Sequence, residues 1–385
     1  MKAKRQQIGR LGSAIVGVFC LLSTFPNMSG QAPARSTTRL PVLDFLHMKQ
    51  PIPSKASFHD PGYYVWGGTM VRDDRGVYHL YYSRWKESAG PDGWLTYSEI
   101  AHATGASPTG TFTFRDVSLP PRGSHFWDGT TTHNPTIKRF GGKYYLYYMG
   151  NTGDRVLTKG MNWTHRNNQR IGVAVADNPK GPWRRSDKPL IDISPDRLAS
   201  DSLVVTNPSL TRGRDGRYYM LYKAVGLRDP MPFGGPVVHL MAIANSPVGP
   251  FRKNYQPLLT IQGSAFPFED PFFWFDAKRD RYFVILKDNK GIVSGLGHAS
   301  LVLYESTDAK DWKPSSHLLV SDLELRWKGR ATEAVSSLER PQLLFNDAGD
   351  PLLLLVAINN KTPGSLSYNV RIPLAPEVRP KTTLP

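Results

Sequence analysis

Asn134-Pro135-Thr136-Ile137, followed beyond Gly141-Gly142 by Lys143-Tyr144-Tyr145-Leu146-Tyr147-Tyr148, sets the reading of this chain because the unit occurs five times. Gly67-Gly68-Thr69-Met70-Val71 is followed by Val77-Tyr78-His79-Leu80-Tyr81-Tyr82, and Asn207-Pro208-Ser209-Leu210 by Arg217-Tyr218-Tyr219-Met220-Leu221-Tyr222. Two looser copies are Asp270-Pro271-Phe272-Phe273-Trp274 with Arg281-Tyr282-Phe283-Val284-Ile285-Leu286, and Arg340-Pro341-Gln342-Leu343-Leu344 with Leu352-Leu353-Leu354-Leu355-Val356. The opening residues 67, 134, 207, 270 and 340 differ by 67, 73, 63 and 70 positions. A period of that length built from short apolar strands and Gly/Asp turns predicts propeller blades, each repeat being one small sheet.

The second half of each unit repeats as well. Ile171-Gly172-Val173-Ala174-Val175-Ala176 runs into Asn178-Pro179-Lys180-Gly181-Pro182-Trp183, and Leu240-Met241-Ala242-Ile243-Ala244 into Ser246-Pro247-Val248-Gly249-Pro250-Phe251. Looser versions end in Phe112 and Trp312. Each reads as a strand, a Pro/Gly turn and an aromatic that opens an outer strand, making four strands per blade. In the fifth unit Ser365 to Val370 supplies a late strand, and Leu40 to Tyr64 completes the blade and closes the ring, removing exposed sheet edges. The expectation is an all-β, five-bladed β-propeller with four antiparallel strands per blade, a single domain over residues 35–385.

Residues 1–34 read as a signal peptide. Lys2, Lys4, Arg5 and Arg10 precede an apolar run from Leu11 to Phe25, and Ala32-Pro33-Ala34 offers small residues for cleavage. The run is too short and too broken by Gly and Ser for a membrane span. Cys20, the only cysteine, lies inside it, and the preceding Val18-Phe19 fits a lipid-attachment box poorly. Export without disulfides points to a bacterial secreted or periplasmic protein with no membrane attachment after cleavage. Of the formal charge of +16, about +12 remains once the four basic leader residues are removed, a field that draws polyanions. The basic residues are scattered and no nucleic-acid motif is present, which argues against nucleic acid and for an acidic or sulfated oligosaccharide or polysaccharide. The sequence leaves the oligomeric state open.

The first strand of a propeller blade lines the central channel, so the five slots and their flanks should meet at one mouth. They bring together Trp66-Gly67, Asp128 with His133-Asn134, Thr206-Asn207, Glu269-Asp270 and Glu339-Arg340. Carboxylates for proton transfer, amides and Arg for hydroxyls, and aromatics for a ring face are the makeup of a sugar site. Glu269 and Asp270 open an apolar strand, where desolvation raises a carboxyl pKa and suits Glu269 to a general acid. Glu339, beside Arg340, is expected to stay ionised. Asp128, in Trp127-Asp128-Gly129 before the second slot, is the expected base. His133, Asn134, Asn207, Arg340, Trp66 and Trp274 are candidate substrate contacts, as are Arg84-Trp85 and Lys287-Asp288 at the ends of two second strands. No P-loop, dinucleotide fingerprint or zinc spacing occurs, so no cofactor is implied.

The Asn/Asp-Pro slots and the recurring A-x-A-x-x-P-x-G-P-[FW] strand pairs resemble family 43 of the glycoside hydrolases and its relatives, including family 117, over Tyr64 to Ile358. In that group an Asp of one blade is the base, an Asp of the next tunes pKa, and a Glu two residues before a Pro is the general acid. The resemblance gives the acid role to Glu269, two positions before Pro271. Asp270 stands where the group has Gly or Ala, and Gly67 stands where it has the base, which moves the base role to Asp128 with Asn207 in the tuning slot. The resemblance further implies inversion, with a calcium ion in the channel of some relatives. The reading is an exo-acting hydrolase of plant or algal glycans; a noncatalytic carbohydrate-binding propeller, for which Gly67 argues, and a lyase using His133 or a Tyr are the competing readings.

Overall fold

The computed structural model describes residues 40, 43–360 and 364–375; the expected signal peptide and Cys20 lie outside the described residues. Five four-stranded antiparallel sheets follow one another in the order the repeats predict. Blade 1 holds Tyr63–Arg72, Tyr78–Lys86, Glu99–Gly105 and Thr113–Leu119. Blade 2 holds Thr131–Phe140, Lys143–Asn151, Arg170–Ala176 and the short Arg184–Arg185. Val204–Arg212, Tyr218–Val225, Val237–Ala244 and Arg252–Leu258 make blade 3; Phe268–Asp276, Arg281–Asp288, Ser300–Ser306 and Lys313–Ser321 make blade 4.

Blade 5 takes three strands from the end of the chain, Leu338–Phe345, Pro351–Ile358 and Tyr368–Pro373, and its outermost strand, Ser57–Phe58, from the beginning. Ser57 pairs with Val370 and Phe58 with Asn369, so the ring closes through the segment before Tyr64 as expected. Arg371, fully buried, secures the seam by donating to the carbonyls of Lys55, Ala56 and Ser57 and to that of Gly110 in blade 1.

The core is distributed between blades. Each of the five blade interfaces encloses its own apolar cluster, for example Tyr81, Ile100 and Leu119 of blade 1 against Ile137, Leu146 and Tyr148 of blade 2. The Tyr-rich second strands therefore feed both faces of their sheet, because successive side chains point to opposite sides. Their hydroxyls also explain why the tyrosines travel with the Pro-x-Gly-Pro turns. Tyr81 of blade 1 donates to the Pro179 carbonyl of blade 2, and Tyr147 of blade 2 donates to Pro247 O of blade 3 at 2.7 Å. Blade 3 carries Leu221 in that register, opposite Ser209 as Tyr147 is opposite Thr136, and the matching turn of blade 4 has no proline.

Candidate active site

All five slots share one backbone conformation. Gly67, Asn134, Asn207, Asp270 and Arg340 have φ of 59, 52, 52, 55 and 51°, the left-handed region that Gly, Asn and Asp enter most readily. A bulge shifts the register there in every blade, and bulges re-aim side chains. The outcome is two tiers. The residues one position earlier, Trp66, His133, Thr206, Glu269 and Glu339, all line a cavity of about 390 Å³, which the slot residues Asn134, Asn207 and Asp270 also border.

The lower tier is a hydrogen-bonded floor. Asn134 Nδ2 donates to Asn207 Oδ1 and Asn207 Nδ2 to Asp270 Oδ1, each at 2.8 Å. The Arg340 backbone N–H donates to Asp270 Oδ2 at 3.0 Å, and its guanidinium reaches Asp270 Oδ1 and the Asn134 carbonyl, both at 3.4 Å. Arg340 thus spans the place of the first slot, which is free because Gly67 has no side chain: a Cβ on Gly67 would lie 3.6 Å from Arg340 Cγ and 3.3 Å from Asn134 Oδ1. Gly67 and Arg340 complement each other in size across the seam.

Above the floor, charges alternate. Glu269 faces Lys287 in the strand register and Thr206 faces Lys223. Lys223 bonds Glu269 Oε1, while Lys287 Nζ lies 2.8 Å from Glu339 Oε2 and 3.8 Å from Glu269 Oε2. Burial by itself would raise the Glu269 pKa, but the Lys223 and Lys287 charges and the Lys223 hydrogen bond outweigh it and hold the carboxyl well below its usual range. In Glu339 burial prevails: with the nearby Asp270 and Glu269 charges it lifts the pKa against the pull of Lys287. The two expectations for these carboxyls are therefore reversed. Glu269 is the group whose ionised form is favoured and Glu339 the one whose pKa is raised, because the Arg340 side chain turns down into the floor and leaves Glu339 to burial.

His133 stands between Trp85 and Trp94, with ring centroids 5.8 and 5.1 Å away, and its Nδ1 is 2.7 Å from Ser98 Oγ. Burial, aided by the Arg340 charge, keeps it neutral. Trp66, Trp94 and Trp85, the last stacked on Tyr64, form an aromatic wall on the blade 1 side. Arg166 and Gln169 line the blade 2 side and Phe233 the blade 3 side. Lys223, Trp94, Arg166, Gln169 and Phe233 were not among the sequence candidates. Lys223 was legible, since it holds in the second strand of blade 3 the register that Lys287 holds in blade 4; the others sit in loops without periodicity.

Several candidates lie elsewhere. Asp128 is fully buried away from the cavity, accepting from Arg122 Nε and Nη2 at 2.8 and 2.7 Å, Tyr148 Oη at 2.7 Å and Arg185 Nη1 at 3.2 Å; its carboxylate locks a loop onto blade 2, so it does not meet Glu269. Asp270 belongs to the floor, where Asn207 and Arg340 occupy both its oxygens. Arg84 turns outward to Asp60 and Glu99, at 2.9 Å each. Asp288 accepts the backbone N–H groups of Ile292, Val293 and Ser294 and orders that loop. Trp274 packs in the core against Phe45 and Phe283. The channel centre does not fit a calcium ion: its one carboxylate is already neutralised by the Arg340 guanidinium, and among the described residues no cluster of His, Cys, Asp or Glu suits a metal.

No protein-family model matches the chain, and no curated protein matches it. Solved structures do. Zg3597, a family 117 glycoside hydrolase of the marine bacterium Zobellia galactanivorans, superposes with a TM-score of 0.60 at 19% identity, over 88% of this chain and 89% of its own. The catalytic domain of a Coprinopsis cinerea GH62 alpha-L-arabinofuranosidase gives 0.56 at 10% identity over 84% and 97%, and an endo-arabinase from Bacteroides thetaiotaomicron 0.52 at 13% over 85% and 98%.

Proposed function

Starting from a fold shared with the five-bladed propeller glycoside hydrolases, we propose that the chain is itself a glycoside hydrolase, with Glu339 as general acid and Glu269 as the ionised partner. The observation that carries this is the pair of carboxyls around one ammonium, Lys287, whose surroundings push their pKa values apart. Such divergence is how two like groups divide acid from base or nucleophile. Protonated Glu339 gives its proton to the leaving glycosidic oxygen, and ionised Glu269 supports the positive charge that develops on the sugar. Neutral His133 and the neighbouring Trp side chains offer a ring face and a hydrogen-bonding atom. We keep exo action as part of this reading.

Both carboxyls reach Lys287 Nζ, at 3.8 and 2.8 Å, which limits their Oε2 atoms to a separation of at most about 6.6 Å. Inverting pairs stand roughly 6.5–9.5 Å apart and retaining pairs ~5–5.5 Å. That ceiling includes the retaining spacing and only the lower edge of the inverting range, and on it we take retention, with Glu269 as nucleophile, over the inversion that the resemblance implies. The balance is then a Glu269–C1 bond formed as the C1–O bond breaks, with the proton passing from Glu339 to the departing oxygen; water later reverses the roles. Incubation with neutral, uronic and sulfated oligosaccharides, with product anomers read by NMR at early times, should show single terminal sugars released with retained configuration. Inverted products would make Glu269 a base in place of a nucleophile, internal cleavage would remove the exo reading, and binding without turnover would favour the noncatalytic propeller. The leader supports an exported enzyme, which N-terminal sequencing of the mature protein from envelope fractions checks.

A further inference from the structure

Arg166 is a cation at this cavity that makes no ion pair with either carboxyl, although the Glu269 charge acts on it. It follows Trp163 in the short helix Trp163–Asn167, inserted between the second and third strands of blade 2. The residue is 8% exposed and lines the cavity. Its Nη1 donates to two neutral acceptors, Asn167 Oδ1 at 2.9 Å and Phe233 O at 2.6 Å. The Nε and Nη2 groups make no hydrogen bond, and no carboxylate lies within ion-pairing distance of the guanidinium among the described residues. The other cations here have carboxyl partners: Lys223 bonds Glu269, and Lys287 lies within 3.8 Å of both Glu269 and Glu339. Three residues on, Gln169 is 4% exposed and also lines the cavity.

A buried guanidinium with no ion-paired carboxylate is costly; the Glu269 charge offsets part of that cost, and a bound anion offsets more. The rings of Phe233 and Trp163, whose centroids are 4.8 and 5.8 Å from Arg166 Cζ, help hold the cation in place. What stays open is one edge of the guanidinium, Nε with Nη2, two parallel donors whose geometry matches a planar carboxylate. The Gln169 amide beside it adds a donor and an acceptor for a neighbouring hydroxyl.

We propose that Arg166 and Gln169 form a subsite for the carboxylate of a uronic acid, so that the enzyme removes or reads an acidic terminal sugar. The proposal rests on the hydrolase reading for its placement but concerns binding, and binding is tested without turnover. Titration calorimetry on the full protein carrying Glu339→Gln compares an oligosaccharide ending in a uronic acid, the same compound with that acid reduced to the neutral sugar, and a sulfated neutral analogue. The uronate should bind roughly 10–100-fold tighter than its reduced form, the range of a charge-assisted pair. Arg166→Gln should abolish that preference, Arg166→Lys should keep part of it, and Gln169→Leu should lower affinity for the uronate while the melting temperature holds. Equal affinity for acid and reduced sugar, a preference that survives Arg166→Gln, or tightest binding of the sulfate would overturn it. Should Arg166→Gln fail to fold, a Gln169→Leu or Arg166→Lys protein with unchanged preference would do the same. Uronate binding by a wild-type protein that cleaves nothing would sink the hydrolase reading and leave this subsite standing; turnover of neutral glycans alone would do the reverse.

Discussion

Two tiers of residues, one position apart in sequence, meet different fates at the centre of this propeller. The slot tier, Gly67, Asn134, Asn207, Asp270 and Arg340, binds itself into a floor. The tier just before it, Trp66, His133, Thr206, Glu269 and Glu339, faces the cavity. Adjacent side chains of a strand point apart, and the left-handed bulge turns that alternation into a difference in height. Asp270 and Glu269 carry the same group, yet one is spent on Arg340 and Asn207 while the other is held at the cavity between two lysines. Position relative to the kink decides the role, and residue type then decides the chemistry.

The largest effect should come from the upper tier. Glu339→Gln removes the proton and keeps the shape, so turnover of natural glycosides should fall by roughly 10²–10⁴, with a much smaller loss on an activated aryl glycoside whose leaving group needs little protonation. Equal losses on both substrates would return the acid role to Glu269. The lower tier should instead fail in stability. Arg340→Ala leaves Asp270 buried without its cation, at a cost of about 3–5 kcal/mol readable in denaturant titration, and a near wild-type midpoint would show that the floor is not held by this pair. The smallest effect concerns pH. Glu339 must be protonated and its pKa is raised, so activity should persist above the ordinary carboxylate range and fall as pH rises through that pKa; Glu269 must be ionised and its pKa is lowered, so the acid limb should lie well below that range. Lys287→Met removes a charge that lowers both values, and both limbs should move to higher pH; a shift in one limb alone would separate the two carboxyls.

The number of blades, the slots and the closing strand were readable because strand alternation and turn chemistry are local, and five copies reinforce one another. Glu269, Glu339, Trp66 and His133 were reachable by the same count, being one step from each slot. Charge states were not. Arg340 is next to Glu339 in sequence but acts on Asp270, a partner 70 positions away, and the lysines that ionise Glu269 come from two different blades. Asp128 is near a slot in sequence but not in space, because Arg122, Arg185 and Tyr148 draw it outward. Arg166 and Gln169 sit in an insertion whose length varies from blade to blade, so no repeat pattern could align them.

The seam in blade 5 has a consequence for how the molecule is made. Four blades use strands that leave the ribosome one after another, so each can pair as soon as its own segment is complete. The fifth must join residues 57–58 to residues 369–370, the kind of distant pairing that slows folding because a long loop is closed before any contact repays it. An early segment therefore waits for nearly the whole chain, and the cavity floor, whose Arg340 belongs to that last blade, is finished only then. Assembly of the fold and arming of the site become one late event, and an unfinished chain carries Glu269 without the blade that brings Glu339 beside it.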